Sequence, residues 1–379
     1  MDAMKKARVV YASTNQNSDA LYMVRTHAPD PFLLVELEGE RIGLFNAMEQ
    51  NRMKRESAIG TVLALEDYVA KARAAYGPEA GNPGDLMAIV AQEHGIERYL
   101  AGADFPAQVL RQAEKRGLKI DVADEALFPE RRVKDDREAA EIRKGNEAAC
   151  AGFDAVEKML AAAEIANDGT LLLDGEPLTS ERVRAEINVA CIRRGAWAME
   201  TILAGGEQAC DPHCEGTGPL HANELIVADI FPRLDATGYF GDMTRTYLKG
   251  TPSAEQKRLV ETVARGQKLA LERIHAGADG RAIHWAVADF FTAEGYPTEK
   301  RNGRYVGFFH GLGHCVGLDI HELPRMNRTG SLLAAGNVIT VEPGLYYPGL
   351  GGCRIEDVVR VTDSGCESLS SHPCGWVLP

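Results

Sequence analysis

The sequence predicts an α+β chain of two domains, a smaller α/β domain followed by a larger one that mixes antiparallel strands with long helices. Three observations carry this. The 379 residues are more than one domain ordinarily holds, at roughly 100–200 residues each. The first third alternates short strand-like runs with short helical periods. The remainder places strand-like runs between and after four longer helical stretches, an α+β pattern.

In the first third, Arg8–Ala12 and Pro31–Leu37 read as short strands. Glu38-Gly39-Glu40 is a turn signal and Arg41–Phe45 the returning strand, so a hairpin is expected. Ser57–Tyr76 has helical spacing through Ile59, Val62, Leu63, Tyr68 and Ala72, and stops at Gly77. Helices are expected at Asp85–His94 and Pro106–Arg116, with strands at Arg98–Ala101 and Lys119–Val122. His27 and His94 stand alone and read as surface or satisfied core residues. Phe128–Asp136, polar and holding Pro129, reads as a linker, which sets the domains at 1–132 and 133–379.

In the second part, a long amphipathic helix is expected from Asp136 to Ala163 and another over Thr179–Gly195. Ser253-Ala254-Glu255-Gln256 is a capping box opening a helix to about His275. Asp279 caps a fourth that reaches Glu294-Gly295. Strands are expected at Leu225–Phe231, Tyr239–Leu248, Asn337–Glu342 and Cys353–Val361.

Composition narrows the function classes. Hydrophobic residues at 45% and charged residues at 26% exclude a disordered or collagen-like chain and a small disulfide scaffold. Lys plus Arg is 42 against 55 Asp plus Glu, a net charge of -13. That excess disfavours nonspecific nucleic-acid and anionic-membrane partners. No run reaches the ~18 apolar residues a membrane helix needs. The start, Met1-Asp2-Ala3-Met4-Lys5-Lys6, lacks the apolar core of a signal peptide, so a cytoplasmic protein is expected. Eight Cys, none before Cys150, read as reduced and mostly as small buried hydrophobes.

Four segments of the second part set unusual polar residues beside apolar strands. Asp229 sits inside the apolar run Leu225–Phe231, and a carboxylate there is costly unless paired or metal-bound. Asp242 follows in Gly241-Asp242-Met243-Thr244-Arg245-Thr246. If the two runs form a hairpin, the acids face each other, and a cation is the natural third party. Phe309-His310-Gly311-Leu312-Gly313-His314 continues to His321-Glu322, three His within twelve residues. The glycines argue against a helical zinc pair and for a turn that lets the imidazoles approach one point. Glu342, in Val341-Glu342-Pro343-Gly344, and Glu356, in Arg354-Ile355-Glu356-Asp357, each end or interrupt an apolar strand. Four carboxylates and one His balance the charge of two divalent ions, as a two-metal hydrolytic site needs.

In this order the motifs resemble the pita-bread metallopeptidases, the family of methionine aminopeptidase, aminopeptidase P and prolidase. The resemblance covers about Val133–Val361. The first 132 residues are similar, with less specific motifs, to the creatinase/prolidase-type N-terminal domain. The resemblance implies five metal ligands: Asp229, Asp242, His314, Glu342 and Glu356. It implies that His213, in Asp211-Pro212-His213-Cys214, contacts substrate, and that His321 hydrogen-bonds the scissile carbonyl. His310 and Arg354 match substrate-side or supporting positions. Arg328 lies where prolyl-specific members carry an arginine, whose fork suits a substrate carboxylate. The implied protein is a homodimeric Xaa-Pro exopeptidase, acting on peptides with proline at the second position. A metal-bridged hydroxide would attack the scissile carbonyl, with Glu342 moving the proton. An oxygen-rich shell with one His favours two Mn²⁺, with Co²⁺ or Zn²⁺ as substitutes.

Three features depart from the family pattern, one of them Cys315 beside His314. Asp229 is followed by Ile230-Phe231-Pro232-Arg233 rather than by glycine, and thirteen residues separate it from Asp242 instead of eleven. An even insertion keeps both acids on one face. Asp235 is a rival first ligand, but it falls in the turn. Cys210, His213 and Cys214 are a rival soft-metal set, one ligand short of a structural zinc site. The alternatives in activity are a metal-free creatinase-like amidinohydrolase and a non-catalytic peptide- or protein-binding member of the fold. In both, ligand positions are usually lost; here all five are filled.

Overall fold

A computed structural model describes residues 5–379, so the segment Met1–Met4 weighed above as a leader lies outside the described residues. The chain separates into two compact units, one ending at Glu130 and one running from Arg131 to Pro379.

The first unit is built on a six-stranded mixed sheet. Its strands are β1 (Lys6–Ala12), β2 (Phe32–Leu37), β3 (Glu40–Phe45), β4 (Thr61–Ala64), β5 (Arg98–Ala101) and β6 (Ile120–Val122), in the order β4-β3-β2-β1-β5-β6. The β2–β3 hairpin pairs Leu37 with Glu40, so its loop is only Glu38 and Gly39. Both take positive φ, 53° and 85°, the twist that a two-residue hairpin favours. Helices α1 (Ser18–Val24), α2 (Ala47–Glu56), α3 (Leu65–Tyr76), α4 (Pro83–His94) and α5 (Ala107–Lys115) complete this unit.

Three expectations change here. The helix read over Ser57–Tyr76 is instead strand β4 followed by α3. Gly60 and the β-branched pair Thr61-Val62 extend the chain, which pairs in parallel with β3. Tyr68 and Ala72, two of the positions read as helical, are the residues α3 buries. Helices α1 and α2 were not legible as apolar stripes. Each starts at an asparagine, Asn17 and Asn46, whose side chain accepts from the first-turn backbone. Helix α4 begins two residues before Asp85, because Asn82 and Asp85 form a reciprocal capping box.

The second unit sets two helix pairs against two sheets. Helix α6 (Asp136–Ala162) opens on a capping box between Asp135 and Glu138, and α7 (Ser180–Ile192) on Thr179. They pack through Phe153, Val156 and Ile187 on Ile230 and Met243. The sheet beneath holds β7 (Ile202–Gly205), β8 (Ile226–Ile230), β9 (Met243–Lys249) and the terminal strand Val377–Leu378. Helices α8 (Ala254–Leu271) and α9 (Gly280–Ala293) bury Leu259, Val263, Val287 and Phe291 with Ile339 and Leu345. Helix α8 ends four residues before His275.

The second sheet holds β10 (Gly313–Cys315), β11 (Glu322–Met326), β12 (Val338–Val341), β13 (Asp357–Val361) and β14 (Cys366–Ser368), in the order β11-β10-β12-β13-β14. A separate hairpin pairs Gly344–Tyr347 with Gly351–Arg354. A bridge from Thr244 to Glu356 brings the chain beside β13 to β9. The strand read over Tyr239–Leu248 starts only at Met243. Before it, Phe240 N–H donates to Gly317 O and Gly241 N–H to Pro232 O, so the chain follows other partners. All eight Cys are free thiols, four of them buried, so burial holds for half rather than most. No described helix is long and apolar enough to cross a membrane.

Candidate metal centre

Strand register decides which acids meet. Strand β8 pairs antiparallel with β9, and Asp229 lies opposite Thr244. Asp242 lies two positions before Thr244. The acids are therefore diagonal neighbours on one face, not directly opposed as the hairpin reading had them. Thirteen residues of separation keep that shared face, as an even insertion should. Both side chains are buried, at 9% and 4% exposure. Asp242 is fixed through its backbone: its N–H donates to Asn146 Oδ1 of α6 at 2.8 Å.

His314 comes from β10, not from a helix or a turn. Gly313 before it is required, because a Cβ there would lie 1.9 Å from the backbone oxygen of Thr340 on the neighbouring strand. The imidazole Nε2 stands 3.7 Å from Asp242 Oδ2 and 3.5 Å from Glu342 Oε1. Its Nδ1 is 3.2 Å from the Cys315 carbonyl, a contact that suits an Nδ1–H and leaves Nε2 as the lone-pair atom. Ligand atoms of Asp242, His314 and Glu356 all lie within 4.8 Å of one another. Glu356 Oε2 also accepts the Thr244 hydroxyl at 2.7 Å.

Arg354 is the cation of this cluster. Its Nη2 donates to Asp229 Oδ2 at 2.7 Å, its Nε to Thr244 Oγ1 and its Nη1 to Tyr346 Oη. The other Asp229 oxygen, Oδ1, is buried without a hydrogen-bond partner. Such an atom is costly in a protein interior and marks a place for a cation.

The electrostatics agree. Burial, followed by the charges of Glu356, Asp229 and Glu342, pushes Asp242 well above the ordinary carboxylate range. Burial and the charges of Glu342 and Asp229 do the same to Glu356. Burial, opposed by Arg354, still carries Glu342 up to about 7. Burial and His321 pull His314 down to about 3, which keeps the imidazole neutral and able to donate a lone pair.

The remaining predicted residues divide. His321 stacks edge-on against His314, ring centroids 4.4 Å apart, and is itself exposed. His310 bonds Tyr346 Oη through Nε2 at 3.0 Å, and its Nδ1 lies 3.8 Å from Glu342 Oε2. His213 is exposed, and its charge bears on both His310 and His321. Arg328 is exposed, and the group it bears on is His284 of α9 rather than any of the acids. Asp235 is exposed and accepts the Trp197 indole at 3.0 Å, outside the cluster. Cys210 is buried with its thiol on the Gly206 carbonyl, and no described donor cluster includes the Cys210/His213/Cys214 set.

Sequence reasoning missed Thr244, Thr340, Tyr346 and Glu322. Thr340 Oγ1 accepts the His314 N–H and reaches Glu342 at 3.4 Å. The signal for the two threonines was present: each stands two residues from an acid, hence on its face of the strand. Glu322 accepts from Lys134 and Arg131, both at 2.6 Å, and from the N–H groups of Leu318 and Asp319. It thereby pins the loop between His314 and His321. No local pattern announces partners nearly two hundred residues away.

Comparison with known proteins covers the same stretch of chain. A family model described as metallopeptidase family M24 matches residues 140–363. The Bacillus subtilis (strain 168) protein YkvY is 32% identical over 307 residues, 78% of this chain and 78% of that protein. The Xaa-Pro dipeptidase of Pyrococcus furiosus is 33% identical over 222 residues, 57% of this chain and 61% of that one. Among solved structures, the X-Pro aminopeptidase of Thermotoga maritima superposes with a TM-score of 0.80 at 22% identity, covering 99% of this chain and 98% of that one. The fold is therefore the pita-bread fold, with the smaller α/β unit ahead of it.

Proposed function

The chain belongs to metallopeptidase family M24, and from that premise we propose that it is a two-metal exopeptidase hydrolysing the Xaa-Pro bond of peptides. The observation that carries this is the convergence of buried acids on one neutral imidazole. The orphaned Asp229 Oδ1 and the upward-shifted Asp242, Glu342 and Glu356 are what dications would relieve. Asp229, Asp242 and Glu356 would hold one ion; Asp242, His314, Glu342 and Glu356 the other. Oxygen donors with a single nitrogen favour Mn²⁺, with Co²⁺ able to substitute. Bound there, the ions would supply a lowered water pKa and a polarised scissile carbonyl.

The chain's own groups account for the rest. Glu342 takes the proton of the attacking water and returns it to the departing proline nitrogen. His321 donates a hydrogen bond to the oxygen on which negative charge develops. His213 orients the substrate from the open side. Arg354 aligns Asp229, and Tyr346 ties Arg354 to His310. Arg328 is the candidate clamp for a substrate carboxylate. The unit ending at Glu130 corresponds to the creatinase/prolidase-type domain, and the protein works as a homodimer. The relative from Pyrococcus furiosus bears the name Xaa-Pro dipeptidase, which supports the choice of substrate.

The test is a panel on Mn²⁺-loaded protein: Xaa-Pro, Xaa-Pro-Yaa and the matching Xaa-Ala peptides. Preference for the proline members is expected, and the better of the two identifies a dipeptidase or an aminopeptidase. Equal cleavage of the alanine peptides would remove the prolyl assignment.

His321→Ala is expected to leave metal content unchanged and lower kcat by roughly 10²–10³, the effect of losing one oxyanion donor. A rise in KM at constant kcat would instead make His321 a uniform binder.

Stability against pH offers a readout independent of turnover. Glu342 rises to about 7 from 4.5, and Asp242 and Glu356 shift the same way. The folded chain thus binds more protons than the unfolded one, and metal-free stability falls as pH rises through that window. His310 and His314, drawn down to about 3, and His284, drawn down to about 4, act in the opposite sense, an effect that fades about one unit above 6.5. Between about pH 7 and 8 the acids outweigh the histidines. The melting temperature of chelated protein should fall over that range while Mn²⁺-loaded protein holds level. A gap that fails to widen would contradict the ionic picture of the cluster.

A further inference from the structure

The face that carries Asp229 and Asp242 does not end with the acids. Asp229 stands opposite Thr244, and Ile230 opposite Met243. Beyond the end of β8 the same register resumes: Arg233 bridges Phe240, and Gly241 N–H donates to Pro232 O. Arg233 lies three residues after Ile230 and Phe240 three before Met243, so neither strand gains a residue and Phe231 falls opposite Asp242. Directly opposed side chains share a face, with Cβ atoms about 4.5–5.5 Å apart.

The packing on α6 fixes which face that is. Ile230 Cδ1 lies 2.9 Å from where a Cβ on Gly152 of α6 would stand. Gly241 meets the α6 backbone at Gly145, and Leu234 packs with Ala148 of the same helix. Met243 belongs to the core beneath α6 and α7. These residues point toward α6, so by alternation Asp229, Phe231, Phe240 and Asp242 point the other way. Both rings are part-exposed, and neither joins the cores packed on α6–α7 or α8–α9. Phe240 is held by its N–H on Gly317 O, in the loop that leads to His321, and by the Arg233 guanidinium 5.7 Å from its ring centroid. An aromatic wall beside a few convergent polar groups is the make-up of a ligand subsite.

We propose that Phe231, with Phe240 beyond it, walls the subsite for the substrate's N-terminal side chain and selects apolar residues there. This rests on the exopeptidase reading above. The free amine of such a substrate is drawn to the acids, and Asp229 and Asp242 are the two that flank Phe231. The amine belongs to the N-terminal residue, so the side chain of that residue is the one that meets the rings.

Leu-Pro and Gly-Pro peptides of equal length, differing only in the first residue, test this on Mn²⁺-loaded protein. The unmodified chain should favour the leucine member in kcat/KM by at least about tenfold, and Phe231→Ala should lower that ratio by about tenfold. Phe231→Leu, which keeps an apolar wall, should retain most of it. Metal content should be equal in all three, because the ring is not a donor. An unchanged ratio in Phe231→Ala, or an equal loss on both peptides, would overturn the proposal. Calorimetric titration with leucinamide and glycinamide adds a readout that needs neither proline nor turnover. The unmodified chain should bind leucinamide tighter by at least about fivefold, a margin that Phe231→Ala should lose. Equal affinity of the unmodified chain for the two amides would also overturn it. A failed prolyl assignment shows instead as equal cleavage of proline and alanine peptides, which leaves the leucine-to-glycine comparison intact.

Discussion

His314→Ala should lose metal and turnover together, with kcat/KM down by roughly 10³ or more, about 4 kcal/mol of transition-state stabilisation. The size follows from the position of this imidazole. Its Nε2 stands 3.5–3.7 Å from carboxylate oxygens of Asp242 and Glu342. It is the neutral donor among buried acids that repel one another. Removing it deprives one ion of a ligand and leaves the acids with one partner fewer. Metal analysis beside peptide hydrolysis checks the claim. A variant with full metal occupancy and full turnover would place the centre elsewhere.

Gly241→Ala should produce a large loss of stability, about 3 kcal/mol, at the upper end for overpacking. In a unit the size of the one from Arg131 to Pro379 that is a fall of roughly 6–12 °C in its melting temperature. A Cβ at Gly241 would lie 2.2 Å from the Gly145 carbonyl carbon and 2.4 Å from the Asn146 nitrogen, both backbone atoms of α6. Neither can rotate away, so α6 and the chain before β9 must separate. The separation also stretches the bond from Asp242 N–H to Asn146 Oδ1, so metal affinity should fall with stability. Gly365→Ala, with open space around the added Cβ and no positive φ, is the control and should change little. Equal melting of the two variants would show that the α6 contact does not position Asp242.

Much of this was legible beforehand because the chemistry is expensive. An acid inside an apolar strand has few reasons to be there, so Asp229, Asp242, Glu342 and Glu356 stood out against their neighbours. The capping boxes at Asp135 and Ser253 are local and were either read directly or lay beside a predicted helix start. What escaped depends on distant partners. Thr61–Ala64 is a strand because β3 lies beside it, and helical spacing over four residues could not reveal that. Asp242 was read inside a strand, but its segment is turned aside by Gly317 and Pro232. Glu322 was passed over as the neighbour of a histidine. Its role appears only when Lys134 and Arg131 arrive from the far end of the unit. Arg328, placed by resemblance alone, sits near His284 and stays a proposal for the substrate carboxylate.

The most direct measurement of the central claim is hydrolysis of an Xaa-Pro peptide by one preparation in three states: Mn²⁺-loaded, chelated and Mn²⁺-restored. The account predicts turnover in the first, loss of at least about 10³-fold in the second, and recovery in the third. Undiminished cleavage by the chelated protein, or none by the loaded one, would contradict it.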